Sequence, residues 1–512
     1  MAVTNRTESD PVPVADIERP HRRKVNRRRF GFIAGPLLFV AVFVAMPDVA
    51  PVADVVGGAG DRSAAAVAAT LVLMAVWWMT EVLPLYVTAL IPLVAMPLLR
   101  VTTIDAAAAP FASKIIFLFL GGFVLAMSME RWNLHRRVAI RVVMMVGSKP
   151  RGIVFGFMAA TSFVSLWVSN TATAVMMLPI AMSVLKLAES VTGRADKNLR
   201  ISLVLCVAYG ASIGSFGTII ASPPNAIAVG YLADQGIEIS FFDWMKAGMP
   251  LWIVFLVVGW VLLTFVAYPP IYKEAIPGAR EVLRRELDGL GPFRGPELRV
   301  AIIFLVVAFT WIFHGFVFSA LGVDGSGITD ELIAVIAIFV LFFFPVSWKR
   351  PGSALMTWKD LADLPWGVLI LFGGGLSLAA QVSASGLAVW IGEQAKSLGG
   401  LPVPLLLIAC CALTWIITEF MSNTAAAATL VPIFGAVAVV LGMSPVYLAI
   451  PVAMACSCAF MMPAGTPPNA VAYSSGMVTI GQMNRAGFFI AIAGFLMVAL
   501  NMYFYAGHVL PG

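Results

Sequence analysis

Charge is scarce in this chain of 512 residues: Asp, Glu, Lys and Arg make up 12% of it, against 60% hydrophobic residues. A soluble domain carries about twice that charge. A water-facing globular fold is therefore excluded, and the mean hydropathy of +0.93 agrees. Histidine is limited to four residues and cysteine to five (Cys206, Cys410, Cys411, Cys456 and Cys458), with no CxxC spacing. That pattern points to neither a metal site nor a disulfide framework and leaves the cysteines as small packing residues. No HExxH occurs and no apolar run carries paired carboxylates, so an intramembrane enzyme has no support. The net charge of +6 comes from basic clusters in the tail and loops. Membrane orientation accounts for them, and nucleic acid is not implied.

Long apolar runs, from about residue 31 to about residue 508, each approach the roughly 20 residues that a spanning helix needs. The fold class is an all-α polytopic membrane protein. Residues 1–30 read as a disordered basic cytoplasmic tail, and Gly31 opens the first helix rather than a signal peptide. Helices are expected over 63–80, 84–99 and 113–130. An apolar block at 152–188 lies between two basic flanks, Arg131 to Arg151 and Arg194 to Arg200. Entering and leaving on one face makes it a re-entrant hairpin. The acidic groups Asp48, Asp54 and Asp61, then Asp234, Glu238 and Asp243, then Asp324, Asp330 and Glu331, fall outside. Lys349, Arg350 and Lys359 fall inside, as the positive-inside rule requires. The N-terminus is then cytoplasmic and the C-terminus outside.

Three anchors recur in the same order. Phe119-Leu120-Gly121-Gly122 resembles Leu371-Phe372-Gly373-Gly374, Ser169-Asn170-Thr171 returns as Ser422-Asn423-Thr424, and Ser222-Pro223-Pro224-Asn225 matches Thr466-Pro467-Pro468-Asn469. By the charge pattern the two copies enter from opposite faces. Inverted repeats with broken helices are the architecture of secondary transporters. The adjacent prolines interrupt each helix by removing amide donors. Freed carbonyls before each break suit a cation; freed amides after it, with the positive end of the following half-helix, suit an anion. Asn170 and Asn423 are expected as N-caps of the hairpins' second helices. These oxygen ligands fit Na⁺, and no soft or imidazole ligand is present. No Lys, Arg, Asp or His lies in the motifs, so an anionic substrate needs helix ends and co-bound cations. Glu81 and Glu419 are either functional carboxylates or interface caps. His314 reads as a hydrogen-bonded interior residue, and the glycine clusters as close helix packing.

Trp77-Trp78-Met79-Thr80-Glu81 with Pro84, the two Ser-Asn-Thr motifs, Leu364-Pro365-Trp366, Thr418-Glu419-Phe420 and the two Pro-Pro-Asn breaks together resemble the divalent anion/sodium symporter family. The resemblance runs from about Trp77 to the C-terminus. It implies about eleven spans plus two re-entrant hairpins, a homodimer, and elevator motion of a transport domain against a scaffold. On that division, 31–147 and 299–390 are scaffold helices and 269–298 a cytoplasmic linker. Transport elements are 148–268 (hairpin 152–188, broken helix 201–233, helix 246–268) and 400–508 (hairpin 402–442, broken helix 445–476, helix 486–507).

Carried over, the resemblance gives a substrate pocket of Ser169, Asn170, Thr171, Ser422, Asn423 and Thr424, completed by Ser222-Pro223 and Thr466-Pro467. One sodium site would use Ser165, Ser169, Asn170 and the Ala221 carbonyl. The other would use Thr418, Asn423 and the carbonyls of Met421 and Gly465. Ala221 stands where glycine is common in the family, and Met421 where alanine or threonine is usual. Some relatives are sodium-independent exchangers with a cationic side chain in place of sodium; none is seen here. The expected function is sodium-coupled import of C4-dicarboxylates such as succinate, malate and fumarate. The alternatives are a dicarboxylate exchanger, or a carrier of sulfate or another divalent oxyanion.

Overall fold

The computed structural model describes residues 14–51, 62–193, 195–321, 327–347, 352–394 and 400–511. Residues 1–13 and the charges at Asp54, Asp61, Arg194, Asp324, Lys349 and Arg350 lie outside the described residues. The first helix, α1 (Val14–Ala45), begins ahead of the expected Gly31. From His21 to Phe30 the sequence holds no glycine or proline, and Arg and Lys are good helix formers. The apolar helix therefore extends backwards through the basic stretch, and the disorder expected for residues 1–30 does not apply from Val14 onward.

After α2 (Ser63–Thr80), Glu81 takes a left-handed backbone with φ 52° and stops the helix. The single helix expected over 84–99 is instead two pieces, α3 (Leu85–Thr88) and α4 (Ile91–Leu98). Pro92 suits only a first helical turn and starts the second piece. Next come α5 (Ile104–Ala108), α6 (Lys114–Arg131) and α7 (Leu134–Met145). Helix α7 falls in the stretch read from the sequence only as a basic flank. In fact Leu134, Ala139, Ile140 and Val143 form a buried stripe on it.

The blocks expected as hairpins each fold as two helices joined at the Ser-Asn-Thr turn: α8 (Pro150–Ser165) with α9 (Asn170–Thr192), and, later, a second pair described below. The first broken helix is α10 (Lys197–Gly214) and α11 (Pro223–Asp234). Then follow α12 (Phe241–Val261), the linker helix α13 (Ala279–Gly289), α14 (Pro296–Leu321), α15 (Asp330–Phe343), α16 (Trp366–Ala384) and α17 (Leu387–Gln394). The second hairpin is α18 (Val403–Thr418) with α19 (Asn423–Val440), and the second broken helix is α20 (Val446–Cys456) with α21 (Pro467–Ser474). Helix α22 (Ile480–Asn501) follows.

Nine of the described helices are long and apolar enough to cross a membrane, fewer than the roughly eleven spans expected. Two of the nine, Asn170–Val191 and Asn423–Val440, belong to the Ser-Asn-Thr helix pairs, while the spans expected at 84–99, 201–233, 332–347 and 445–476 are built from shorter or interrupted helices. On α14, Ile302, Leu305, Val306, Phe309 and Phe316 stay exposed, an apolar outer face suited to a lipid surrounding rather than to water. The chain is a multi-pass helical membrane protein.

The glycine clusters do allow close packing. A Cβ on Gly121 would sit 2.5 Å from the Ala334 carbonyl oxygen, and one on Gly374 only 2.1 Å from that of Ala89. Helix α7 is tied to the linker region by a buried ion pair: Arg137 Nε and Nη2 donate to Glu297 Oε1 and Oε2 at 2.6 and 2.9 Å. Arg137 also donates to the Gly291 carbonyl at 2.9 Å, while Arg136 pairs with Glu286 on α13. His314 bonds Asp330 at 3.2 Å, as an interior histidine should. All five cysteines are buried and free.

Candidate functional site

The chemistry begins at the two hairpin turns. Ser169 and Ser422, not the asparagines, are the N-cap residues, with extended backbones at φ −49°, ψ 130° and φ −58°, ψ 135°. Ser169 Oγ accepts from Ala172 N at 3.4 Å. Asn170 and Asn423 are therefore the first helical residues, one place later than expected. This frees their amides to reach across to other elements. Asn170 Nδ2 donates to Ser215 Oγ at 2.7 Å, in the first break, and Asn423 Oδ1 accepts from Thr418 Oγ1 at 2.8 Å.

At each helix break the Pro-Pro pair occupies the first helical positions, where missing amides cost nothing. The asparagine that follows ties the break loop shut. Asn225 Nδ2 donates to the carbonyls of Ser215 and Thr218, at 2.7 and 2.9 Å, ten and seven residues back in the chain. Asn469 Nδ2 donates to those of Ala459 and Met462 at 3.0 and 3.1 Å, at the same separations of ten and seven. Both residues are fully buried. The sequence marked these asparagines as motif letters; the structure gives them a mechanical role.

The second half adds a carboxylate. Glu419 is buried, and its oxygens accept from the backbone amides of Phe460, Met461 and Met462, each at 3.1 Å. Trp415 Nε1 donates to it as well, at 3.2 Å. Glu419 is thus the anchor of the second break loop rather than an interface cap. Gly465 stands in that loop, and a Cβ there would approach Glu419 Oε2 to 3.5 Å. The two breaks meet where Ser222 Oγ and Ser457 Oγ lie 3.4 Å apart.

A cavity of about 760 Å³ collects these elements. Ser169, Asn170, Thr171, Ala221, Ser222 and Pro223 line it from the first half; Met421, Ser422, Asn423, Thr424, Gly465, Thr466 and Pro467 line it from the second. Ser165 and Thr418, the remaining expected residues, are fully buried and do not line it. The cavity also reaches Arg27, Glu81, Glu130 and Asp363. Arg27 and Glu81 form a part-exposed ion pair of 2.9 Å. Glu130 and Asp363 escaped notice in the sequence. A carboxylate inside an apolar run is a functional candidate by default, and that rule would have found Glu130. Among the described residues Arg27 is the only basic one lining the cavity, so its inner end relies on helix termini and neutral dipoles.

The two halves differ as cation sites. In the first, Ser165 Oγ and Asn170 Oδ1 are buried and have no hydrogen-bond partner among the described residues. In the second, the Thr418 hydroxyl has two acceptors within reach of its single proton, Asn423 Oδ1 at 2.8 Å and the Cys456 carbonyl at 3.0 Å. The first half presents open oxygen ligands, whereas the second must turn a hydroxyl aside to do so.

Residues 35–510 match the family described as the sodium:sulfate symporter transmembrane region. The chain belongs to that family. It is therefore a transporter and not an enzyme. The chain is 38% identical to the sodium-dependent dicarboxylate transporter SdcS of Staphylococcus saprophyticus, over 94% of this chain and 92% of the relative. Identity is 39% to the SdcS of Staphylococcus aureus strain USA300, over 93% and 90%. In fold the chain is similar to the crystal structure of the Alcanivorax borkumensis YdaH transporter, at 17% identity and a TM-score of 0.57, covering 86% of this chain and 100% of that one. It is also similar to MtrF of Neisseria gonorrhoeae, at 15% identity and a TM-score of 0.52, covering 80% and 84%.

Proposed function

We propose that this chain is a sodium-dependent dicarboxylate transporter that imports C4-dicarboxylates by alternating access. The observation that carries this reading is the single cavity into which both Ser-Asn-Thr turns and both Pro-Pro-Asn breaks open. Four helix starts converge there, each offering amides and a positive dipole end to a carboxylate. The dianion's remaining charge is offset by sodium held on the carbonyl and hydroxyl oxygens behind the turns. The similarity to SdcS over nine-tenths of both chains supports the substrate class.

On this reading Ser169, Asn170, Thr171, Ser422, Asn423 and Thr424 hold the substrate with Ser222-Pro223 and Thr466-Pro467. Sodium sits between Ser165, Ser169, Asn170 and Ala221 in one half and between Thr418, Met421, Asn423 and Gly465 in the other. The halves form an inverted repeat, the hairpins are re-entrant, and a homodimeric scaffold supports an elevator movement. The N-terminus lies in the cytoplasm, so the cavity with Arg27 opens inward.

The test is uptake of labelled succinate into liposomes holding the purified protein. An inward sodium gradient should drive accumulation, and Asn170→Ala or Asn423→Ala should abolish it. Equal uptake in potassium-only buffer would refute sodium coupling and favour exchange. The family description itself keeps a sulfate carrier as the second reading; sulfate competing with succinate more strongly than malate does would favour it.

A further inference from the structure

The first half carries more open oxygen than one sodium site accounts for. Besides Ser165 Oγ and Asn170 Oδ1, Thr173 Oγ1 and Ser212 Oγ are buried without a hydrogen-bond partner among the described residues. Thr173 is fully buried and Ser212 is 2% exposed. Hydroxyls in this setting normally bond a carbonyl one turn back, as Thr161 does to Phe157 at 2.6 Å and Thr429 to Ala425 at 2.9 Å. Leaving a buried hydroxyl unbonded costs about 1–3 kcal/mol. Two such groups, on neighbouring helices, call for something that occupies them.

Their placement is defined by the Asn170–Ser215 bond of 2.7 Å between the start of α9 and the residue closing α10. Thr173 lies one turn into α9 from Asn170, and Ser212 one turn back along α10 from Ser215. Positions three apart share a helix side, so both hydroxyls belong to the sides on which α9 and α10 meet. They do not bond each other. Ligands of one hard cation stand about 2.3–2.6 Å from it and so remain apart from one another. Ser212 also lies in the last turn of α10, whose carbonyls carry the negative end of the helix dipole. With no carboxylate in the cluster, neutral oxygens suit a monovalent ion better than a divalent one.

The second half lacks the feature. Matching the Ser-Asn-Thr turns and the Pro-Pro-Asn breaks sets Ala426 opposite Thr173 and Cys456 opposite Ser212. Neither can supply a hard oxygen from its side chain.

We infer that Thr173 and Ser212 form a second sodium position in the first half, beside the Ser165–Asn170 position and without a counterpart in the other half. This rests on the sodium-coupled reading above. It gives the carrier three sodium positions against the two negative charges of succinate, so import with all three filled would move one net positive charge.

The experiment is sodium activation of succinate uptake in proteoliposomes, with charge movement recorded alongside. Thr173→Val with Ser212→Ala should lower the Hill coefficient for sodium by about one, raise the half-activating sodium concentration at least threefold, and abolish the inward current while electroneutral uptake continues. Thr173→Ser with Ser212→Thr retains both hydroxyls and should behave as wild type, which separates loss of the ligands from loss of packing. A double variant with wild-type sodium activation and current would overturn the proposal and mean that the hydroxyls hold water. Double and hydroxyl-retaining variants that fail equally would also overturn it, the cause then being packing. Wild-type uptake with no sodium dependence at all would instead refute the underlying reading.

Discussion

Replacing Glu419 by Gln tests how the second break loop is held. The carboxylate takes four hydrogen bonds, from three consecutive backbone amides and from the Trp415 indole. The better orientation of a glutamine keeps its oxygen at the Oε1 position, which retains the bonds from Phe460, Met461 and Trp415. Its NH₂ then faces the Met462 amide, so that buried N–H loses its acceptor, at about 1–3 kcal/mol. The other three bonds fall from charge-assisted to neutral strength, roughly half. Relief from burying a charge offsets part of this, leaving a net loss of about 1–3 kcal/mol. Glu419→Ala removes all four acceptors and should cost more. Because Gly465 follows closely on Met462, the loss falls on the loop proposed to ligate sodium. If sodium must reorder that loop on binding, 1.4 kcal/mol corresponds to tenfold in affinity. The half-activating sodium concentration should rise about 5- to 140-fold in the Gln variant, with a smaller change in succinate affinity measured at saturating sodium. Uptake against sodium concentration and thermal unfolding in detergent measure the two effects. Wild-type sodium dependence and melting in both variants would show that the carboxylate does not hold the loop.

Other outcomes follow from the same structure. Removing one partner of the buried Arg137–Glu297 pair, as in Glu297→Ala, should destabilise the protein by about 3–5 kcal/mol by stranding a buried charge; thermal unfolding would record it, and an unchanged midpoint would contradict the burial. Burial pushes His135 on α7 below its ordinary imidazole value, with the neighbouring Arg136 lowering it further and a bond to the Met129 carbonyl opposing. The folded state then binds fewer protons than the unfolded one, so stability from this site is present above pH 6.5 and is lost as pH falls from there through the lowered folded value. Melting between pH 7.5 and 5.5 should drop more in wild type than in His135→Asn. In Gly214→Ala the new Cβ would lie 2.5 Å from the Ser162 carbonyl oxygen. Forcing α8 and α10 apart should cost about 1–3 kcal/mol and reduce sodium-driven uptake, whereas Gly481→Ala, exposed on α22 with nothing within 4 Å of the new Cβ, should leave uptake intact.

The sequence by itself determined the class of fold, the duplicated motifs and the family. Apolar run length, proline pairs and charge sidedness are local properties, written in neighbouring residues and independent of what packs against them. It also determined where helices must fail, since Pro223-Pro224 and Pro467-Pro468 cannot sit inside a continuous helix. The tertiary structure alone decided what those failures do. Asn170 meets Ser215 across 45 residues of chain, Glu419 meets Phe460 across 41, and Trp132 on the end of α6 bonds the Leu355 carbonyl across 223. No periodicity encodes such partners, because a side chain's hydrogen bond depends on which helix lies opposite. For the same reason the backward extension of α1 to Val14, the breaking of 84–99 and the serine rather than asparagine caps emerged only in three dimensions. The unequal supply of open oxygens in the two halves did too. There a buried hydroxyl counts as free or bonded only once every neighbour is in place.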